Sequence, residues 1–171
     1  LRHTDRIFGA CYRMLGERSA AEDAAQETFL RLWKSAERWR PQGAKFETWL
    51  YKVAMNVCLD RLRKRGRELP EEAAPEMVDG ALRADEAMMA DERAQAVQAA
   101  IDGLPERQRE AIVLCCYQEL SNIEAAKVME VSVEALESLL ARGRRALKDA
   151  LLPRREELLE GGRHDSSSAI V

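Results

Sequence analysis

Between positions 39 and 63 the chain sets Trp39, Arg40, Gln42, Lys45, Lys52, Asn56 and Arg63 along a loop and the helix that follows it. The chemistry open to such a set is recognition. Lysine and arginine attract phosphates, and asparagine and glutamine can make paired hydrogen bonds to a base edge. A flexible loop beside them suits a single strand whose bases are splayed out. The same stripe also reads as an ordinary solvated helix face. Phe46 and Trp49 read as core residues rather than stacking platforms. A second cationic cluster, Arg142, Arg144, Arg145 and Lys148, closes the last long helical pattern. There it either lies near phosphates or complements the helix C-terminus. A third set is acidic and apolar: Asp23, Gln26 and Glu27 share one side of a helix, with Leu30 and Trp33 a turn or two beyond. It reads as a solvated face or as a charged rim around a protein-docking patch.

Covalent catalysis finds no such footing. There is no glycine-rich phosphate loop, no HExxH and no serine–histidine–aspartate order, and the two histidines, His3 and His164, stand near the chain ends. No enzyme activity, cofactor or metal is expected. Cys11, Cys58, Cys115 and Cys116 form no CxxC and lie among apolar neighbours, so they read as buried small hydrophobes in a reducing compartment. No apolar run reaches about 18 residues and no signal-peptide pattern occurs, which predicts a soluble cytoplasmic protein without membrane insertion.

The elements that must position these residues are helical throughout. Proline occurs only at 41, 70, 75, 105 and 153, and long β-branched runs are absent. The patterns predict helices over Thr4–Leu15, with Gly16 breaking the first; Ser19–Ser35, begun by Ser19 with Glu22 and Asp23 in its first turn; and Phe46–Arg65, with Phe46, Leu50, Val53 and Val57 as its apolar stripe. A stretch rich in acid and proline follows, with at most one helical turn. A second module begins with a helix over Asp91–Asp102 that ends at Gly103, and Pro105 starts another to Tyr117. Ser121–Glu124 is a capping box opening a short helix to Met129, and Ser132 caps a last helix to about Leu152. Two helices joined by Glu130-Val131-Ser132 fit a helix-turn-helix, with Ile123, Ala126, Met129, Val131, Leu136 and Leu140 as its core; a plain helical hairpin is the other reading.

Charge follows this division. The whole chain is −3, yet residues 1–67 carry 15 Lys/Arg against 8 Asp/Glu, while 68–96 carry 2 against 9. A near-neutral total therefore hides a basic module beside an acidic connector. The expected architecture is all-α: a helical domain over 1–67, a flexible acidic linker over 68–90, a helix-turn-helix domain over 91–152 and a flexible tail over 153–171.

At this point AEDAAQETFLRLW and FETWLYKVAMNVCLDRLRKR resemble region 2 of the extracytoplasmic-function (group IV) sigma factors of bacterial RNA polymerase. LPERQREAIVLCCYQELSNIEAAKVMEVSVEALESLLARGRRAL is similar to their region 4. The resemblance implies an initiation factor that binds core polymerase at the β′ clamp helices and β flap and directs recognition and opening of promoter DNA, with an anti-sigma factor as its regulator. It implies that Asp23, Gln26, Glu27, Leu30 and Trp33 dock on polymerase. The Trp39–Lys45 loop (Trp39, Arg40, Gln42, Lys45) with Lys52, Asn56 and Arg63 would capture the −10 strand. Ser132, Glu137, Ser138, Ala141, Arg142 and Arg145 would face the −35 element. The departures are local. Family members usually carry a cation at Glu137, arginine at Leu139, Gly-Thr at Glu134-Ala135 and glycine at Glu130; an acid at 137 would accept a hydrogen bond from cytosine rather than attract phosphate. Two other classes remain open from sequence: a helical adaptor that mimics such a factor, and a stand-alone helix-turn-helix regulator.

Overall fold

The computed structural model describes residues 2–36, 45–68 and 85–154, and the regular structure among them is helical. Helix α1 (Arg2–Leu15) turns Ile7, Ala10, Cys11, Met14 and Leu15 inward. It stops at Gly16, whose φ of +73° is the left-handed conformation glycine tolerates best. The glycine has a second reason: a Cβ there would stand 2.6 Å from the Asp102 carboxylate, at the far end of another helix.

Helix α2 (Arg18–Ser35) starts one residue earlier than expected, with Glu17 at the N-cap. Ser19 therefore lies inside the helix, its hydroxyl donating to Glu17 at 2.5 Å, and Glu22 and Asp23 fall beyond the first turn. Its buried residues are the small ones, Ala21, Ala24, Ala25 and Thr28, which let α2 approach its neighbours closely. The Thr28 hydroxyl donates to the Ala24 carbonyl at 2.7 Å, so its burial leaves no unpaired group.

Helix α3 (Phe46–Glu68) runs beyond its expected end at Arg65. Leu50, Tyr51, Ala54, Met55, Val57, Cys58 and Leu59 are buried, whereas Val53 is half-buried and Phe46 is 37% exposed. The expected stripe was too narrow and off-centre, because α3 packs against α1, α2 and α6 and so buries more than one arc of its surface.

Helix α4 (Asp85–Asp102) begins well before the expected Asp91 and takes in the end of the segment read as linker. Its sequence, rich in Ala, Met, Glu and Gln without proline or glycine, consists of good helix formers, and acid content alone does not oppose a helix. The remainder of that linker (69–84) and the tail from 155 lie outside the described residues.

Helix α5 (Glu106–Ile112) continues into a π-helical turn, Val113–Tyr117, which the periodicity did not announce. Cys115 is half-buried and Cys116 exposed, contrary to expectation, because burial ends at Leu114 and the turn that follows comes out to the surface, where Tyr117 is 37% exposed. Helices α6 (Asn122–Met129) and α7 (Val133–Leu151) form the expected pair. Ser121 accepts from the Glu124 N–H while the Glu124 carboxylate accepts from the Ser121 N–H, and Ser132 accepts from the Ala135 N–H. Replacing Ser121 with alanine should cost about 1 kcal/mol in chemical denaturation; an unchanged midpoint would show that the box is idle. Ala126 and Met129 are buried as expected, but Ile123 is 60% exposed. It stands in the first turn of α6, at the edge of the arc that buries Ala125, Ala126, Val128 and Met129. Helices α5 and α7 meet at Gly143, where a Cβ would press within 2.9 Å of Ile112.

The two modules pack on each other. Met14 and Leu15 of α1 and Val57 and Cys58 of α3 share one apolar cluster with Leu104, Ile112, Leu114 and Met129. Arg109 Nη1 donates to the Met14 carbonyl at 2.7 Å, and Arg13 and Gln98 bond at 3.0 Å. The Arg13 guanidinium lies 4.5 Å from the centre of the Tyr117 ring.

Candidate nucleic-acid and docking interfaces

On α2 the fully buried residues are small and Phe29 and Leu32 lean half-buried on the core, which leaves Leu30 and Trp33 facing out. Leu30 is 61% exposed and Trp33 82%, the two most exposed large apolar side chains among the described residues. Asp23 and Gln26 are exposed beside them. Glu27, also expected at the docking face, is half-buried and paired within the chain. It accepts from Arg31 at 2.5 Å and from Arg61 of α3 at 3.1 Å. Burial pushes its carboxyl up, but the two guanidinium hydrogen bonds outweigh that and hold it below its ordinary value. Glu27 thus braces α2 against α3. Arg61, which the sequence did not single out, is the partner; an Arg two residues before the run Arg63-Lys64-Arg65 carries no signal of a cross-helix contact.

Of the residues expected to read a strand, Trp39, Arg40 and Gln42 lie outside the described residues. Lys45, Lys52, Asn56 and Arg63 are placed by α3 and its N-terminus. Asn56 and Arg63 are exposed, and Arg63 stands 3.9 Å from Asp60. The lysines are engaged: Lys45 Nζ donates to Glu124 at 2.9 Å and Lys52 Nζ to Glu130 at 2.6 Å, both carboxylates belonging to the α6 segment. The hydrogen bond from Lys45, with those from the Ser121 N–H and hydroxyl, lowers the Glu124 carboxyl from its ordinary 4.5 to about 2. The stabilisation it lends is complete above about pH 4.5 and is lost as pH falls towards 2. A Glu124→Gln chain should therefore lose less stability than the unaltered chain across that window, as followed by circular dichroism. Equal losses would assign the acid sensitivity to other carboxyls.

On α7, Glu137, Ala141, Arg142 and Arg145 are exposed along one side. Ser132 is committed to its cap, and Ser138 accepts from Arg142 at 2.8 Å. Asn122 donates to Glu137 at 3.3 Å, which ties the two helices of the motif together at their exposed edge. Among the described residues no cluster of His, Cys, Asp and Glu has the makings of a metal site. No helix there is long and apolar enough to cross a membrane.

Residues 1–68 match the family model for sigma-70 region 2, and residues 94–147 that for sigma-70, region 4. The chain is 36% identical over 160 residues to the ECF RNA polymerase sigma factor SigW of Bacillus subtilis, covering 87% of this chain and 84% of SigW. The chain belongs to the extracytoplasmic-function sigma factor family. A second relative, the ECF RNA polymerase sigma factor SigE of Mycolicibacterium smegmatis, is 39% identical over 153 residues. That match covers 87% of this chain and 58% of SigE, so the chain spans a little over half of that relative's length. The solved structure of the sigma factor RpoE in complex with the anti-sigma factor NepR from Bartonella quintana matches with a TM-score of 0.68 at 24% identity, over 89% of this chain and 93% of that one. The likeness there is one of fold. In this sigma factor, α1–α3 lie within region 2, and α5, α6 and most of α7 lie within region 4.

Proposed function

We propose that this sigma factor binds core RNA polymerase through α2, then directs recognition and opening of promoters, with no catalytic step of its own and under the hold of an anti-sigma factor. The setting is the cytoplasm, where core polymerase is found. The observation that carries the reading is the outward display of Leu30 and Trp33 on a helix whose fully buried residues are all small. Nothing in the packing of the described residues needs those two side chains outside, whereas a docking partner does. Asn56 and Arg63 with the loop before α3 serve the −10 strand, and Glu137, Ala141, Arg142 and Arg145 serve the −35 duplex; Ser138 supports Arg142.

Purified core enzyme with this chain, given a genome-wide promoter pool, should yield specific transcripts. Silence across the pool would sink the reading, and both the adaptor and the stand-alone regulator predict that silence. Within region 4, Arg142→Ala should weaken holoenzyme binding to a −35 element about tenfold by removing a cation from the phosphate surface. Glu137→Lys should alter base preference at one position rather than affinity alone. Footprints unchanged by either substitution would remove α7 from the reading of DNA.

A further inference from the structure

An acid on the DNA-facing side of a helix costs affinity unless its direction is fixed. Glu137 stands exposed in the second turn of α7, with Ala141 and Arg142 a turn further along the same side. Left to swing, its carboxylate would repel the phosphates that Arg142 and Arg145 attract. A tether limits that swing. Asn122 Nδ2 donates to Glu137 Oε1 at 3.3 Å, from one helix of the motif to the other.

The donor is itself held. Asn122 is half-buried at the first position of α6, directly after the Ser121 cap and its reciprocal bonds with Glu124. The acceptor's helix is seated as well. Leu136, beside Glu137 in the chain, is fully buried, and with Leu140 it joins the cluster that contains Ala125, Ala126 and Met129. Two anchored backbones therefore fix a contact between residues 15 positions apart. Among the described residues Glu137 has no cation partner, unlike Glu124 and Glu130, so the neutral amide leaves its charge intact. One carboxylate oxygen is engaged and the other, Oε2, stays free to accept.

We propose that Asn122 is a positioning residue for base selection, holding Glu137 so that Oε2 meets a base edge rather than the phosphate backbone. This rests on the reading of the −35 duplex by α7 proposed above and adds the residue that aims it. In the major groove a carboxylate can only accept. Guanine and thymine present acceptors of their own and are refused. Adenine offers N6–H2 but sets N7 beside it, whereas cytosine offers N4–H2 with no acceptor on its own edge. The aimed carboxylate thus selects cytosine at one position of the −35 element.

The test uses holoenzyme and a promoter recovered from the pool above, with each −35 base pair varied in turn and bound DNA counted by sequencing. The unaltered chain should favour cytosine about tenfold at one position. Asn122→Asp keeps the side-chain shape, removes both N–H donors and puts a negative charge where a helix N-terminus favours one, so α6 should keep its stability. A merely structural role for Asn122 therefore predicts no loss. The positioning role predicts that the cytosine preference falls to within about threefold while preferences at other positions stand. Asn122→Ala, which adds no charge, should act alike. In a Glu137→Ala chain, where that preference is already gone, Asn122→Asp should change nothing further. The positioning role is overturned by a cytosine preference that is absent from the unaltered chain, that survives both Asn122 variants, or that Asn122→Asp still shifts without Glu137. Base preferences changed by Glu137→Ala but not by the Asn122 variants remove Asn122 alone and leave the reading by α7 standing. Preferences untouched by Glu137→Ala and Arg142→Ala remove both.

Discussion

Replacing Leu30 and Trp33 together with alanine is expected to weaken core polymerase binding at least about a hundredfold while leaving the melting temperature within about 2 °C of its original value. The asymmetry follows from where the two side chains stand. At 61% and 82% exposure they contribute little to the fold, because little of their surface leaves water on folding. On docking they would be the desolvated centre of the interface, where a tryptophan truncation alone often costs 2 kcal/mol or more, roughly a thirtyfold loss. Titration of labelled core enzyme measures the first effect and a thermal melt the second. Intact binding by the double variant would move the docking face off α2. A large fall in melting temperature would mean that the residues hold the fold instead.

The largest effect on stability is expected at Arg109. The residue is 8% exposed, and its guanidinium donates to the carbonyls of Met14, Asp102 and Leu104, which are the ends of α1 and α4 and the turn into α5. Burial lowers its pKa, and the nearby Asp102 carboxylate works against that. Asp102 is in turn pushed up by its own burial despite bonds from Gln98 and the charge of Arg109. Arg109→Ala removes one donor group and strands three acceptors at the junction of regions 2 and 4. Each orphaned buried carbonyl costs about 1–3 kcal/mol, so a loss of about 3 kcal/mol or more in denaturant unfolding is expected. Arg109→Lys should recover part of it, since an ammonium cannot reproduce the planar fork. A loss under about 1 kcal/mol for the alanine variant would mean that water replaces the guanidinium and that the junction is not dry.

Much of this was open to reading in the chain because the signals are local. The capping box at Ser121, the cap at Ser132 and the break at Gly16 each depend on residues a few positions apart, and the structure places them as expected. The reach of α4 into the acidic segment was missed because composition was weighed as disorder when the residues themselves are helix formers. Phe46, Ile123 and Cys116 were assigned to the core on periodicity, yet which arc of a helix is buried depends on how many neighbours it has and where they lie.

The same division holds for the surfaces. The residue types alone offered, in that order, a candidate docking helix, a basic helix and a candidate helix-turn-helix, since hydrogen-bonding capacity, charge and helical spacing are properties of the string. Tertiary structure alone decided that Glu27 is a brace to Arg61, that Arg109 ties the ends of α1 and α4 together, and that Lys45 and Lys52 face Glu124 and Glu130. Those pairs join residues between 34 and 95 positions apart. No periodicity relates them, because the packing of one helix on another, and not the order of residues along either, brings their charges within reach.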